Sequence, residues 1–199
     1  VIAIPELLRL LQNEGMDFDS ALALCNKIFN FTNHTIMSEA LEKWDERSVH
    51  DLLPQIWEQI VKLQVKIEQD NLDRNRYFII RDGVIHMANL AIYVAAKVNG
   101  VAKIHTDILK TNTFRDWYEL FPDKFENVTN GVTPRRWMML NNPRLCEEIT
   151  KRIGGGWKKD LTKLSEMKKY AHDPEFISVF KEIRGENKRR LAAEIKKTE

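Results

Sequence analysis

The chain has 199 residues, enough to bury a sizeable core, and its 31 basic side chains against 29 acidic ones leave a formal net charge of only +2. With 30% charged and 43% hydrophobic residues it reads as one globular domain or a large piece of one, and its near-neutral balance argues against a nucleic-acid partner. Two isolated cysteines, Cys25 and Cys146, lack metal-ligand spacing and read as buried free thiols of a reducing compartment, so a cytoplasmic location is expected.

The start, V-I-A-I-P-E-L-L-R-L-L, has no basic leader and contains Pro5 and Glu6, so it reads as a chain entered midway rather than a signal peptide. Pro5 suits the first turn of a helix carrying Leu7, Leu8, Leu10 and Leu11, which Asn13-Glu14-Gly15 stops. Phe18, Ala21, Leu22, Cys25, Ile28 and Phe29 recur at helical spacing and predict a second helix. The alternation in F-N-F-T-N-H-T-I-M predicts a short strand with His34 at its exit. Glycosylation-type triplets at Asn30, Asn33 and Asn127 are discounted, because such short patterns arise by chance.

Pro54 opens a long helix with Ile56, Ile60, Leu63 and Ile67 on one stripe, followed by the polar run D-N-L-D-R-N-R as a solvated connection. Residues 84–96 are apolar nearly all round but too short to span a bilayer, which predicts a helix buried on most sides within a layered α/β or large helical domain. Val98-Asn99-Gly100-Val101 marks a place where the chain approaches something closely. Asn142-Pro143 begins a helix with Glu147 and Glu148 early, Lys151 and Arg152 late, and Gly154-Gly155-Gly156 at its end. Asp173-Pro174 opens the last helix, striped by Phe176, Phe180, Ile183, Leu191 and Ile195, with Gly185 as a weak point.

None of the common catalytic signatures is present, whether nucleophile elbow, zinc helix, phosphate loop or paired cysteines, and no metal ligands are identified. The candidates are therefore polar groups at turns. His34 could bind a sugar or phosphate hydroxyl, or could equally be a capping or core histidine satisfied by backbone. Asn130 heads an Asn-Gly turn, which alone would account for it, although an amide with two donors and an acceptor is also a good recognition group. Thr133-Pro134 then starts a helix with Arg135 and Arg136 at its positive end, where cations are disfavoured unless an anion lies close; pairing with carboxylates is the preferred reading. Trp137, one turn on, could stack on a flat group or simply fill a core. The basic run E-N-K-R-R has interleaved acids and reads as a solvated helix face.

Three blocks, T-N-H-T-I-M-S-E-A-L-E-K-W (32–44), V-N-G-V-A-K-I-H (98–105) and K-F-E-N-V-T-N-G-V-T-P-R-R-W (124–137), closely resemble the α-glucan phosphorylases, in that family's order. The resemblance covers essentially the whole chain. It implies an α/β fold, here a mostly helical piece with a few short strands. Residues 1–199 would then form an internal part of the N-terminal Rossmann-like domain of a two-domain GT-B glycosyltransferase.

The activity implied is cleavage of the terminal bond of an α-1,4-glucan by inorganic phosphate, releasing glucose 1-phosphate with retained configuration. The cofactor implied is pyridoxal phosphate, used through its 5′-phosphate as a proton partner of the substrate phosphate. The parent is implied to be cytoplasmic, with no membrane or nucleic-acid partner and with room for homodimerisation.

Carried over position by position, His34 and Asn130 match the pair that hydrogen-bonds the 6-hydroxyl of the glucosyl unit, and Val101 matches a contact to the same part of the sugar. Gly100 and Gly131 would bring main chain close to that ligand. Trp137 matches an aromatic residue of the cofactor pocket, and Glu39, Glu42 and Trp44 are expected along the cleft.

The family's cofactor lysine and substrate-phosphate cluster are expected outside this chain. No catalytic residue is therefore assigned within it, and alone it is expected neither to hold the cofactor covalently nor to turn over. The region 70–83 resembles compact microbial members more than animal ones. The alternative is a helical scaffold or interaction module derived from the same fold without catalysis.

Overall fold

The computed structural model describes residues 1–70 and 72–198; Asn71, within the polar run expected as a connection, and Glu199 lie outside the described residues. The chain divides into two units, Val1–Asn130 and Gly131–Glu199. It is α/β, mostly helical with short strands, as the sequence implied.

In the first unit α1 runs Ala3–Asn13 and α2 runs Phe18–Ile28. Pro5 stands in the first turn of α1, where an N–H would go unused. Gly15 adopts a φ of 91° and ends that helix, as expected. Of the four leucines, Leu8 is fully buried while Leu10 faces solvent. Asp17 caps α2, its side chain accepting the Ser20 N–H.

Strand β1 (Asn30–Thr32) follows, then β2 (Lys43–Asp45), α3 (Glu46–Leu52) and α4 (Pro54–Gln69). The predicted stripe of α4 is realised: Ile56, Ile60, Leu63 and Ile67 are all buried, each burial contributing about 1.5–3 kcal/mol. Gln64 on the same helix is buried too. Its Oε1 accepts the N–H groups of Ile79 (2.7 Å) and Ile80 (3.1 Å), so a side chain satisfies backbone donors that a neighbouring strand would otherwise take.

The apolar run 84–96 corrects the sequence expectation of one buried helix. Its first residues form strand β4 (Val84–His86), paired antiparallel with β3 (Ile80–Arg81), and only then does α5 (Met87–Val94) begin. Asp82 (φ 51°) and Gly83 (φ 73°) are the two left-handed residues of the hairpin turn, a geometry that Asp-Gly favours. Strand β2 joins on the other side of β4, giving a small sheet of order β2-β4-β3. Buriedness on most sides does hold for α5, in which every residue from Met87 to Val94 except Asn89 is buried.

The second sheet positions the site. Strand β5 (Lys97–Gly100) is followed by α6 (Lys103–Ile108), α7 (Arg115–Leu120) and strand β6 (Phe125–Asn127). Strands β1, β5 and β6 pair in that order, all parallel, with Thr32 opposite Asn99 and Asn99 opposite Glu126. Buried Val98 and Phe125 seat the sheet on the core of the unit.

Lys124 ties the start of β6 to the end of α5. Its Nζ donates to Ile92 O (3.2 Å) and Tyr93 O (2.8 Å), carbonyls of the last turn of that helix, over the Phe121 ring at 4.4 Å. Burial pushes its pKa down to about 8 from an ordinary 10.5. A neutral amine still has two N–H donors for the two carbonyls. Between those values the unfolded chain binds a proton that the folded chain does not, so the contribution to stability is full above 10.5 and is lost as pH falls through about 8. The denaturant midpoint of the wild type should therefore gain on that of Lys124→Met as pH rises from about 8 to 10.5; a gap that narrows over that range contradicts the assignment.

In the second unit a helical turn, Arg135–Leu140, precedes α8 (Pro143–Ile153), a run of tight turns and α9 (Pro174–Thr198). Trp157 is fully buried against Cys146 and Ile149. Glu147 and Glu148 fall in the second turn of α8 rather than its first, and Gly154 (φ 75°) ends that helix as expected. Arg152 is only 10% exposed at its side chain and meets Glu148 (2.8 Å) and Asp173 (3.1 Å), which fastens α8 to the start of α9. The expected stripe of α9 is buried only in part: Ile183 is buried, whereas Leu191 and Ile195 are exposed. Both cysteines are free and buried. Among the described residues no helix is long and apolar enough to cross a membrane, and no metal-binding cluster occurs.

Candidate functional site

The side chains of a parallel sheet's loops gather where the strands end, at their C-terminal edge. His34 lies two residues beyond β1, Val101 one beyond β5 and Asn130 three beyond β6, so all three predicted sugar contacts belong to one edge of one three-stranded sheet. Main-chain hydrogen bonds continue past the strands and hold the loops in register. Asn33 N–H donates to Asn99 O at 2.9 Å, Val128 N–H to Gly100 O at 3.1 Å and Asn130 N–H to Val101 O at 3.0 Å. His34 and Asn130 are exposed and Val101 half-buried, so the imidazole is not a core histidine, and the edge is open to solvent.

The groups beneath this edge were not singled out from the sequence. Asn33 is 4% exposed and its Nδ2 donates to Thr35 O at 2.6 Å, closing a tight turn around His34. Thr32 Oγ1 donates to Asn99 Oδ1 at 2.8 Å, and Asn99 Nδ2 to Gly100 O at 3.0 Å, linking the first two loops through one amide. Thr106 Oγ1 lies 3.1 Å from Asn127 Oδ1, which links α6 to the end of β6. Each of these amides is engaged in hydrogen bonds within the fold. The readable signal was an asparagine at the end of each of the three strands, Asn33, Asn99 and Asn127.

Gly100 marks a close approach of two chain segments, as expected: a Cβ there would lie 2.4 Å from Thr106 Oγ1 and 3.0 Å from the Thr106 Cα, so the glycine admits the first turn of α6. Two expectations are corrected. Gly131 has open space around it and neither it nor Asn130 takes positive φ, so the Asn-Gly pair is not a left-handed turn. Arg135 and Arg136 are exposed, and among the described residues no carboxylate pairs with either. Trp44 lies in β2 of the antiparallel sheet, with its Nε1–H on Glu42 Oε1 at 2.8 Å. An apolar hollow of about 590 Å³ between the start of α1 and the joint of α3 and α4 is lined by none of the residues of the parallel edge; its only charges, Glu6 and Arg9, bond each other at 2.8 Å.

The whole chain, residues 1–199, matches the profile of the carbohydrate phosphorylases. It belongs to the carbohydrate phosphorylase family. It is 37% identical to a maltodextrin phosphorylase of Streptococcus pneumoniae over 98% of this chain and 26% of that one. It is 42% identical to the human liver form of glycogen phosphorylase over 94% of this chain and 24% of that one, and 40% identical to a glycogen phosphorylase of Chlamydia trachomatis over 98% and 26%. This phosphorylase chain thus spans about a quarter of the length of the curated relatives it matches.

Trp137 belongs to the second unit and is 60% exposed. Among the described residues no ring stacks on it.

Proposed function

We propose that this chain is part of the N-terminal, Rossmann-like domain of a two-domain GT-B glucan phosphorylase, and that it supplies the contacts to the glucosyl unit at the bond being cut. The parent would use inorganic phosphate to release glucose 1-phosphate, with retained configuration, from the non-reducing end of an α-1,4-glucan. The observation that supports this reading is the single sheet edge shared by His34, Val101 and Asn130.

A sugar hydroxyl both donates and accepts. An imidazole has one nitrogen of each kind, and an amide offers two donors and an acceptor, so His34 and Asn130 can grip a hydroxyl from two directions. Their strands flank β5, two strand spacings or roughly 10 Å apart at the backbone, with the Val101 peptide between them. That arrangement orients a ring rather than reacting with it. Fixing the ring relative to the attacking phosphate is itself a large part of the rate, because orientation removes entropy from the barrier.

Trp137 would hold one face of pyridoxal phosphate, whose own phosphate supplies, when bound, a proton donor and acceptor beside the substrate phosphate. The full-length protein incubated with maltodextrin and inorganic phosphate should form glucose 1-phosphate, and should form no sugar product without phosphate. Release of free glucose, or no turnover with cofactor present, would favour a hydrolase or a non-catalytic scaffold instead.

A further inference from the structure

His105 is 5% exposed and lies on α6, outside all three loops that carry the proposed sugar contacts. Its ring nevertheless reaches two of them. The Val101 N–H donates to Nδ1 at 3.1 Å, and Nε2 lies 3.5 Å from Thr35 O. Because Nδ1 accepts, the ring proton sits on Nε2, where it faces a carbonyl that can take it. Thr35 O also accepts from Asn33 Nδ2 at 2.6 Å, and a carbonyl has two lone pairs, so both donors can be served.

We infer that His105 is a positioning residue, a neutral imidazole strut that sets the spacing between the His34 loop and the Val101 peptide. The inference rests on the proposed function, in which those two groups touch the same sugar. The imidazole is rigid, so the separation of its two nitrogens is fixed. A flexible side chain could make the same hydrogen bonds without fixing the distance between the loops. His34 itself is exposed, yet its neighbours on both sides are tied down: Asn33 N–H to Asn99 O, and Thr35 O to Asn33 and His105. The strut completes that clamp from a third element.

The test uses the full-length enzyme elongating a glucan, with glucose 1-phosphate or its 6-deoxy analogue as donor. His105→Phe keeps the ring volume and loses both polar contacts; His105→Asn keeps an acceptor near the place of Nδ1, and His105→Gln keeps a donor near the place of Nε2. The Phe variant should lower the preference for the 6-hydroxylated donor roughly fivefold, with Asn and Gln each recovering part of it. A general packing defect would slow both donors equally and lower the thermal midpoint, and that outcome overturns the strut, as does an unchanged preference. If the Phe variant does not fold, Asn and Gln decide, since each removes one link and an unchanged preference in both overturns the inference. His34→Ala in the same assay separates the two levels. If it abolishes the preference and the His105 variants do not, only the strut fails; if it leaves the preference intact, the proposed sugar contact fails with it.

Discussion

Alanine at His34, or at Asn130, should lower kcat/KM of the full-length phosphorylase roughly 5- to 150-fold, the equivalent of about 1–3 kcal/mol for a sugar hydroxyl left without its partner. Stability should hardly move. Both side chains are exposed, and exposed substitutions usually stay within about 0.5 kcal/mol. The bond that fixes Asn130 in place runs from its main-chain N–H to Val101 O at 3.0 Å, and alanine keeps that N–H. Activity and stability therefore separate cleanly: the variants should melt with the wild type and turn over slowly. Wild-type kinetics in both variants would refute the sugar contact, and a matching loss of thermal midpoint would reassign them to the fold.

Gly100→Ala should act in the opposite sense, on the frame before the chemistry. The new methyl would meet Thr106 Oγ1 at 2.4 Å, and also the Thr106 Cα and N at 3.0 Å, so rotating the threonine side chain cannot relieve it. Either β5 or the first turn of α6 must shift, at a cost of about 1–3 kcal/mol as for other overpacked sites. The same helix bears His105, so the displacement reaches the site. Gly131→Ala is the control, with open space at that residue and an ordinary φ, and should be close to neutral. Equal thermal midpoints for Gly100→Ala and wild type would show that α6 does not need the glycine.

Elements governed by local rules were legible in the sequence. The stripe of α4 and the stops at Gly15 and Gly154 follow from spacing and turn chemistry alone, and the structure has them where expected. The misread segments are those decided by distant partners. Val84–His86 is as apolar as the helix after it, and only the Asp82-Gly83 turn and the pairing with Ile80–Arg81 make it a strand. Leu191 and Ile195 keep helical spacing yet stay exposed, because period alone does not reveal what a face meets.

At the site, the resemblance singled out the exposed residues His34, Val101 and Asn130. The role of the layer beneath them, Asn33, Asn99, His105, Thr106 and Asn127, was not legible, because its hydrogen bonds join segments as far apart as Thr32 and Asn99. An arginine pair at a helix start suggested nearby carboxylates; none meets Arg135 or Arg136 among the described residues, and charge complementarity read from sequence has no way to supply the third dimension.

The parallel pairing of β1, β5 and β6 also sets a timetable for the nascent chain. Residues 1–69 hold neighbouring helices that can dock on one another while synthesis continues, but β1 has no sheet partner until Lys97–Gly100 emerges, and the edge is complete only at Asn130. At about 5–20 residues per second, the ribosome needs on the order of 5–20 s to pass from His34 to Asn130. Until β5 emerges β1 presents unpaired N–H and C=O groups, and its three-residue length limits what it can mispair with. Brevity of the strands is thus a protection during translation as well as a geometry for the mature enzyme.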